Sequence, residues 1–409
     1  MQSVFVILLT LSTVVVLLHR RIEIGHSMLV GSLLLQILTW SSPELFAGAV
    51  GKTLQNYNTW EILGALYFVM CLEYQLRTSG LLDDVMTAAR ARLLSDKFLL
   101  AGMPAFLGFL PSLGGALFSA PMVENASRRY EMSSEDKTTV NYWFRHVWEY
   151  VNPIMPGLLL LSQVTRFPLA TLILEMLPFT VAAIVIGWFF CLMRLREKDT
   201  AIESTADNGM SEATEIRHKG LHALSLTAGP ILLNVFFVIV FKMPASVAMA
   251  FVVSLMAIIL RQNLHDLKKM LIHGLDRKLL WGIGSVLLFQ QVLLDTGALT
   301  GVVAMLRSSM ISPLIIAGIL TFVTGVLTGT SGGFVAVSMP VVVALAPGDI
   351  AATVVGFVIG TAGQMLSPMH LCILVTCEYF RSDFIRSLAP VVLMEAVMAG
   401  ILILRYGFF

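Results

Sequence analysis

Two stretches decide the fold: PSLGGALFSAP at residues 111–121 and TGTSGGFVAVSMP at residues 328–340. Each sets a hydroxyl residue before a Gly-Gly pair, continues with an apolar run and ends on proline. Glycine and proline both interrupt helices, yet the chain around them is built for unbroken ones. Of its 409 residues 57% are hydrophobic and 13% charged, about half the charged share of a soluble domain. Mean hydropathy is +0.83. Continuous apolar runs, as at 5–18, 221–241, 247–260 and 391–404, argue for helices in a bilayer, whereas a β-barrel would alternate.

Other classes fall away quickly. The net charge is +1 with no basic block, which sets nucleic acid aside as a partner. Cys71, Cys191, Cys372 and Cys377 all lie in apolar segments, and no spacing among them suits a zinc site or a redox motif, so they read as small buried hydrophobes. The first apolar run lacks a basic leader and a cleavage signal. It reads as a retained span entering with its N-terminus outside.

The apolar pattern predicts ten spans, near 3–18, 26–42, 60–77, 138–163, 169–193, 221–241, 244–260, 279–295, 350–377 and 387–405. The polar stretch 196–219 divides them as a cytoplasmic linker. Features of the first part recur in order in the second: Ser79-Gly80 as Thr296-Gly297, Gly114-Gly115 as Gly332-Gly333, Asn152-Pro153 as Ser367-Pro368. This predicts a duplication, residues 1–195 and 220–409, each with five spans and one re-entrant hairpin. An odd span count makes the second copy upside down. Charge placement agrees: 21 of the 27 Lys and Arg fall on inner segments and five on outer ones, with Arg145 inside a span. Both termini are then expected outside the cytoplasmic (inner) membrane.

In that topology segment 98–127 begins and ends inside, and segment 311–346 begins and ends outside, so each is expected to enter and return as a hairpin. A hairpin tip exposes unpaired N–H and C=O groups, which are tolerated at membrane depth only around a polar site. Ser112, Thr328, Thr330 and Ser331 offer hydroxyls there, and the Gly-Gly pairs allow close backbone approach. Each hairpin is followed by a broken span. NYWFRHVWEYVNPIMPGLLLL (141–161) breaks at Asn152-Pro153 and Pro156-Gly157. GFVIGTAGQMLSPMHLCILV (356–375) is expected to break around Gly360, Gly363 and Ser367-Pro368, with Thr361, Gln364 and His370 nearby.

Arg145, His146 and Glu149 lie within the first broken span, where charge is a functional signal. Arg145 and Glu149, four apart, would share a helix face as an ion pair, or serve a substrate carboxylate and a coupling proton. His146 titrates near neutrality. No metal centre is expected beyond Na+, and no cofactor beyond a coupling Na+ or H+. Glu73, in the third span, is a further proton candidate. The stretches 81–97 and 298–311 read as surface connectors.

With these motifs the whole chain resembles the ion transporter superfamily of divalent anion/sodium symporters, citrate carriers, gluconate-type permeases and anaerobic dicarboxylate carriers. It is most similar to a branch of bacterial and archaeal integral membrane proteins. The resemblance implies an all-α, homodimeric secondary transporter of elevator type, with carboxylate substrates driven by Na+ or H+. In the divalent-anion branch each tip carries Ser-Asn-Thr; the matching positions here read Ser112-Leu113-Gly114 and Thr330-Ser331-Gly332.

The sequence thus points to a carrier of a small organic anion. Substrate contacts are expected from Ser112, Gly114, Gly115, Arg145, Asn152, Thr330, Ser331, Gly332, Gly333, Ser367 and His370. Coupling is expected from Ser112, Asn152, Thr328, Ser331, Thr361, Glu149, His146 and Glu73. Export of a toxic or amphiphilic compound is the alternative. A channel, or an enzyme using His146 and Glu149, is more distant, since no nucleophile or metal set accompanies that pair.

Overall fold

The computed structural model describes residues 2–20, 22–81, 96–109, 115–198, 210–298, 303–305, 308–309 and 311–407. The described residues hold eighteen α-helices and no strand, only an isolated bridge between Tyr130 and Glu197. In chain order these are α1 (Gln2–His19), α2 (Ile24–Leu38), α3 (Pro43–Gln55), α4 (Tyr57–Thr78), α5 (Asp96–Gly108), α6 (Gly115–Ala126), α7 (Ser134–His146), α8 (Pro156–Thr165) and α9 (Leu169–Gly187). Then come α10 (Met210–Val240), α11 (Ala245–Ile259), α12 (Leu264–Gly274), α13 (Arg277–Asp295), α14 (Pro313–Thr328), α15 (Ser331–Leu345), α16 (Ile350–Met365), α17 (Leu371–Phe380) and α18 (Phe384–Tyr406).

The second nine repeat the order of the first nine, and the chain turns alike between them. Left-handed residues follow α2 and α11 (Trp40, φ 53°; Arg261, φ 48°), α4 and α13 (Gly80, φ 78°; Gly297, φ 63°), and α8 and α17 (Arg166, φ 61°; Arg381, φ 53°). Such a conformation costs a residue with a side chain about 1 kcal/mol, so its return at matched helix ends reflects a shared path. Packing partners also recur with the halves exchanged: α2 on α13 and α11 on α4, α3 on α13 and α12 on α4, α8 on α15 and α17 on α6.

Two packing groups result. One holds α1–α4 with α10–α13. The other holds α5–α8 with α14–α18, and α9 packs on α18 and on α10. Three segments are long and apolar enough to cross a membrane by length and composition: Leu169–Leu192, Leu264–Asp295 and Phe384–Tyr406. The second is divided at 275–276 into α12 and α13. The other apolar helices are shorter, 10–17 residues in their apolar parts.

The structure departs from the sequence reading at several points. α3 and α12 are additional helices in segments read as loops. They are short and amphipathic, so no apolar run announced them. α10 begins at Met210, inside the stretch read as linker. The turn between α14 and α15 falls at 329–330. Gly332 and Gly333 lie beyond it in the first turn of α15, because one left-handed residue, Gly329 (φ 65°), makes the turn. Gly360 and Gly363 are helical, within α16, and the break comes after Met365. Of the expected connectors, 82–95, 299–302, 306–307 and 310 lie outside the described residues, as do the Ser112 and Gly114 of the first tip.

Candidate functional site at the paired breaks

The first break spans 147–155, between α7 and α8. A capping box starts α7: the Asp136 amide donates to Ser133 Oγ (3.1 Å) and the Ser133 amide to Asp136 Oδ2 (3.0 Å). Pro156 opens α8 at a position that needs no donor. Within the break Asn152, fully buried, does two things. Its Nδ2 donates to Phe109 O (2.8 Å), at the end of the first hairpin's entering helix, and its Oδ1 accepts from the Ile154 amide (3.2 Å).

The second break, 366–370 between α16 and α17, repeats this with different chemistry. Ser367 Oγ donates to Val326 O (2.5 Å), near the end of α14, and accepts from the Met369 amide (3.1 Å). Asn152 and Ser367 therefore make the same pair of bonds. One anchors a hairpin carbonyl, and the other closes the local turn two residues on.

Missing side chains permit the contacts around these anchors. A Cβ on Gly108 would strike the backbone of Arg145, and one on Gly325 the backbone of Gly360 and Gln364. A Cβ on Gly157, at the start of α8, would strike Ser331, at the start of α15. Two helix N-termini thus meet where the second hairpin touches the first break, and each presents unpaired N–H groups and a positive dipole end. Thr330 caps α15 by accepting from the Gly333 amide (3.1 Å).

Beside this meeting point lies a buried polar cluster. Tyr142 donates to Met365 O (2.9 Å), joining α7 to the end of α16. His146 Nδ1 lies 2.7 Å from Tyr142 O, His370 Nδ1 lies 2.7 Å from Gly329 O, and the two Nε2 atoms face each other at 3.0 Å. Gln364 Nε2 reaches Glu149 Oε1 at 3.4 Å. Arg145 is 6% exposed, and its Nε and Nη1 have no hydrogen-bond partner among the described residues.

The expected Arg145–Glu149 ion pair is not formed among the described residues. α7 ends at His146, so Glu149 lies in the break and the i,i+4 relation does not hold. Thr361 donates back to Phe357 O (2.9 Å) and faces a narrow cavity shared with His146, Tyr150 and Glu395. Thr328 Oγ1 contacts Thr330 O at 3.4 Å. Glu73 is elsewhere, bridging Arg77 (3.1 Å) and His273 (3.1 Å) where α4 meets α12.

Sequence reading passed over Glu395, 4% exposed on α18, with Oε2 unpartnered among the described residues. A lone carboxylate inside the apolar run 391–404 was the available signal. Cys372, read from the sequence as a small buried hydrophobe, has its sulfur beside the two histidines in space. At the far end of α8 a cavity of about 310 Å³ opens between Gln163, Arg166, Gln290 and Gln291.

The comparisons bear on the whole chain. It belongs to the family described as "Protein of unknown function (DUF401)", whose model matches residues 1–408. No curated protein matches it. Among solved structures it is similar to the YdaH transporter of Alcanivorax borkumensis, a crystal structure described as having an unusual topology. The TM-score is 0.60 at 13% identity, covering 87% of this chain and 88% of that one. At that identity the likeness is one of fold.

Proposed function

We propose that this chain is a secondary active transporter that moves a small organic anion, a carboxylate foremost, across the cytoplasmic membrane by alternating access coupled to H+ or Na+. The observation that carries the reading is the pair of hairpin–break junctions, in which Asn152 and Ser367 perform the same two bonds on opposite halves of the chain. Two equivalent junctions meeting at one place serve a site reached in turn from either side, and broken helices at matched positions mark such sites in transporters. The recurrent helix order and exchanged packing support a duplication, and the charge bias supports its inversion. The shared fold with a YdaH transporter is consistent with this.

Arg145 meets the anion's charge in this reading, since a buried guanidinium with free donors is costly until an anion arrives. The N-termini of α8 and α15 add to that attraction through Gly157, Ser331, Gly332 and Gly333, and Ser112, Gly114 and Gly115 are the further substrate candidates that the sequence offers. Glu149, Glu395 and His146 are the proton candidates; the hydroxyls of Thr328, Thr361 and Ser331 are the Na+ candidates. The group α5–α8 with α14–α18 travels against the scaffold α1–α4 with α10–α13, and the scaffold holds a homodimer, as the family resemblance implies.

The test is uptake of a radiolabelled carboxylate panel into proteoliposomes under imposed pH or Na+ gradients. The expected result is saturable, gradient-dependent flux that falls at least tenfold in Arg145→Gln. Absence of gradient-dependent flux in either direction across the panel would sink the reading.

A further inference from the structure

We propose that His146, His370 and Cys372 form a site for a borderline-soft transition cation of the Zn2+ type. The argument starts from the histidine tautomers. A carbonyl oxygen only accepts, so the contacts of His146 Nδ1 with Tyr142 O and of His370 Nδ1 with Gly329 O, both 2.7 Å, place a hydrogen on each Nδ1. In the neutral rings both Nε2 atoms then present lone pairs, and these face each other at 3.0 Å. Two facing lone pairs at that distance repel, so the arrangement calls for a positive species between them.

A proton would satisfy two nitrogens. The third group decides between occupants. Cys372 Sγ and one ring nitrogen of each histidine all lie within 4.8 Å of one another, and Cys372 sits two residues after His370 in the first turn of α17. A helix N-terminus favours thiolate over thiol, and imidazole with thiolate is the donor set of zinc. Zn–N near 2.05 Å and Zn–S near 2.3 Å at a tetrahedral angle put the nitrogens about 3.3 Å apart and each about 3.6 Å from the sulfur. The nitrogens are within a few tenths of an ångström of that spacing, and the sulfur closes the rest by about 1 Å. Both Nδ1–H···O=C contacts have the form that orients metal-bound imidazoles. The ligands come from both broken spans, and the Gly329 carbonyl adds the turn of the second hairpin, so a bound cation ties the three together.

The test needs no transport, so loss of the proposed function leaves it standing, and the reverse. Full-length, metal-stripped protein in detergent is titrated with Co2+ and followed by absorption. Expected are tetrahedral ligand-field bands and a thiolate-to-cobalt charge-transfer band, saturating at one ion per chain and displaced by Zn2+. Cys372→Ser removes the charge-transfer band, and His146→Gln or His370→Gln weakens binding about a hundredfold, whereas Cys377→Ser changes nothing. Gel filtration establishes that each variant is folded. If the histidine variants misfold, Zn2+ protection of Cys372 against alkylation in the wild type gives the second readout. A spectrum without the charge-transfer band, binding untouched by Cys372→Ser, or no protection overturns the proposal and leaves a shared proton as the occupant.

Discussion

The two junctions do the same mechanical work with unlike side chains. At the first, a buried amide (Asn152) spans to Phe109 O, the break carries Glu149, and Arg145 at the end of α7 has Nε and Nη1 without a partner among the described residues. At the second, a hydroxyl (Ser367) spans the same role to Val326 O, and the surroundings are glycine, threonine and histidine. The backbone task is the same at both, because a broken helix and a helix end each leave carbonyls that must be satisfied when buried. The polar surroundings differ: Arg145 and Glu149 belong to the first junction and His370 to the second, while Gly108, Gly157 and Gly325 allow close approach at both.

That comparison can be broken in stages. The largest effect is expected from Gly325→Leu, whose side chain would meet the backbone of α16 where nothing yields. It should cost 3 kcal/mol or more, at or beyond the upper end of overpacking penalties, and abolish the monodisperse peak in gel filtration. The equivalent change at Gly108, against the Arg145 backbone, should match it if the two hairpins are equally tight.

Asn152→Ala and Ser367→Ala each orphan a carbonyl and a turn amide, so each should destabilise by about 1–3 kcal/mol in thermal melts. A large inequality between them would show that only one junction bears load. Arg145→Gln separates function from structure. Uptake should fall at least tenfold while stability holds or rises, since an unpaired buried charge is removed; a fall in stability would make Arg145 structural. Glu395→Gln should flatten the pH dependence of uptake with little change in melting, and an unaltered pH profile would remove Glu395 from the proton route. The smallest effect is Thr330→Ala, about 1 kcal/mol for a lost cap, seen as faster hydrogen exchange at the start of α15.

The helix breaks were legible because Gly and Pro punctuate an otherwise apolar chain, and Asn152-Pro153 and Ser367-Pro368 fall in the breaks. What was misread depended on registers that sequence does not state. The i,i+4 pairing of Arg145 with Glu149 presumes a helix that stops at His146. The tip was placed on Gly332-Gly333 because two glycines look like a turn, yet Gly329 alone makes it. The convergence of His146 with His370 and Cys372 has no local signal at all, because the two histidines are 224 residues apart.

The exchanged packing of α1–α4 with α10–α13 also sets an order in time. Gln75 of α4 donates to Val253 O and Gln262 Oε1, which are made 178 and 187 residues later. While the ribosome is still producing the second half, α2 and α4 are already synthesised and their partners are not. The nascent first half must therefore shelter a polar side chain among lipids or insertion machinery until its counterpart arrives. Two separately made polypeptides, cut between Lys198 and Met210, keep every one of those contacts and should find each other when co-expressed.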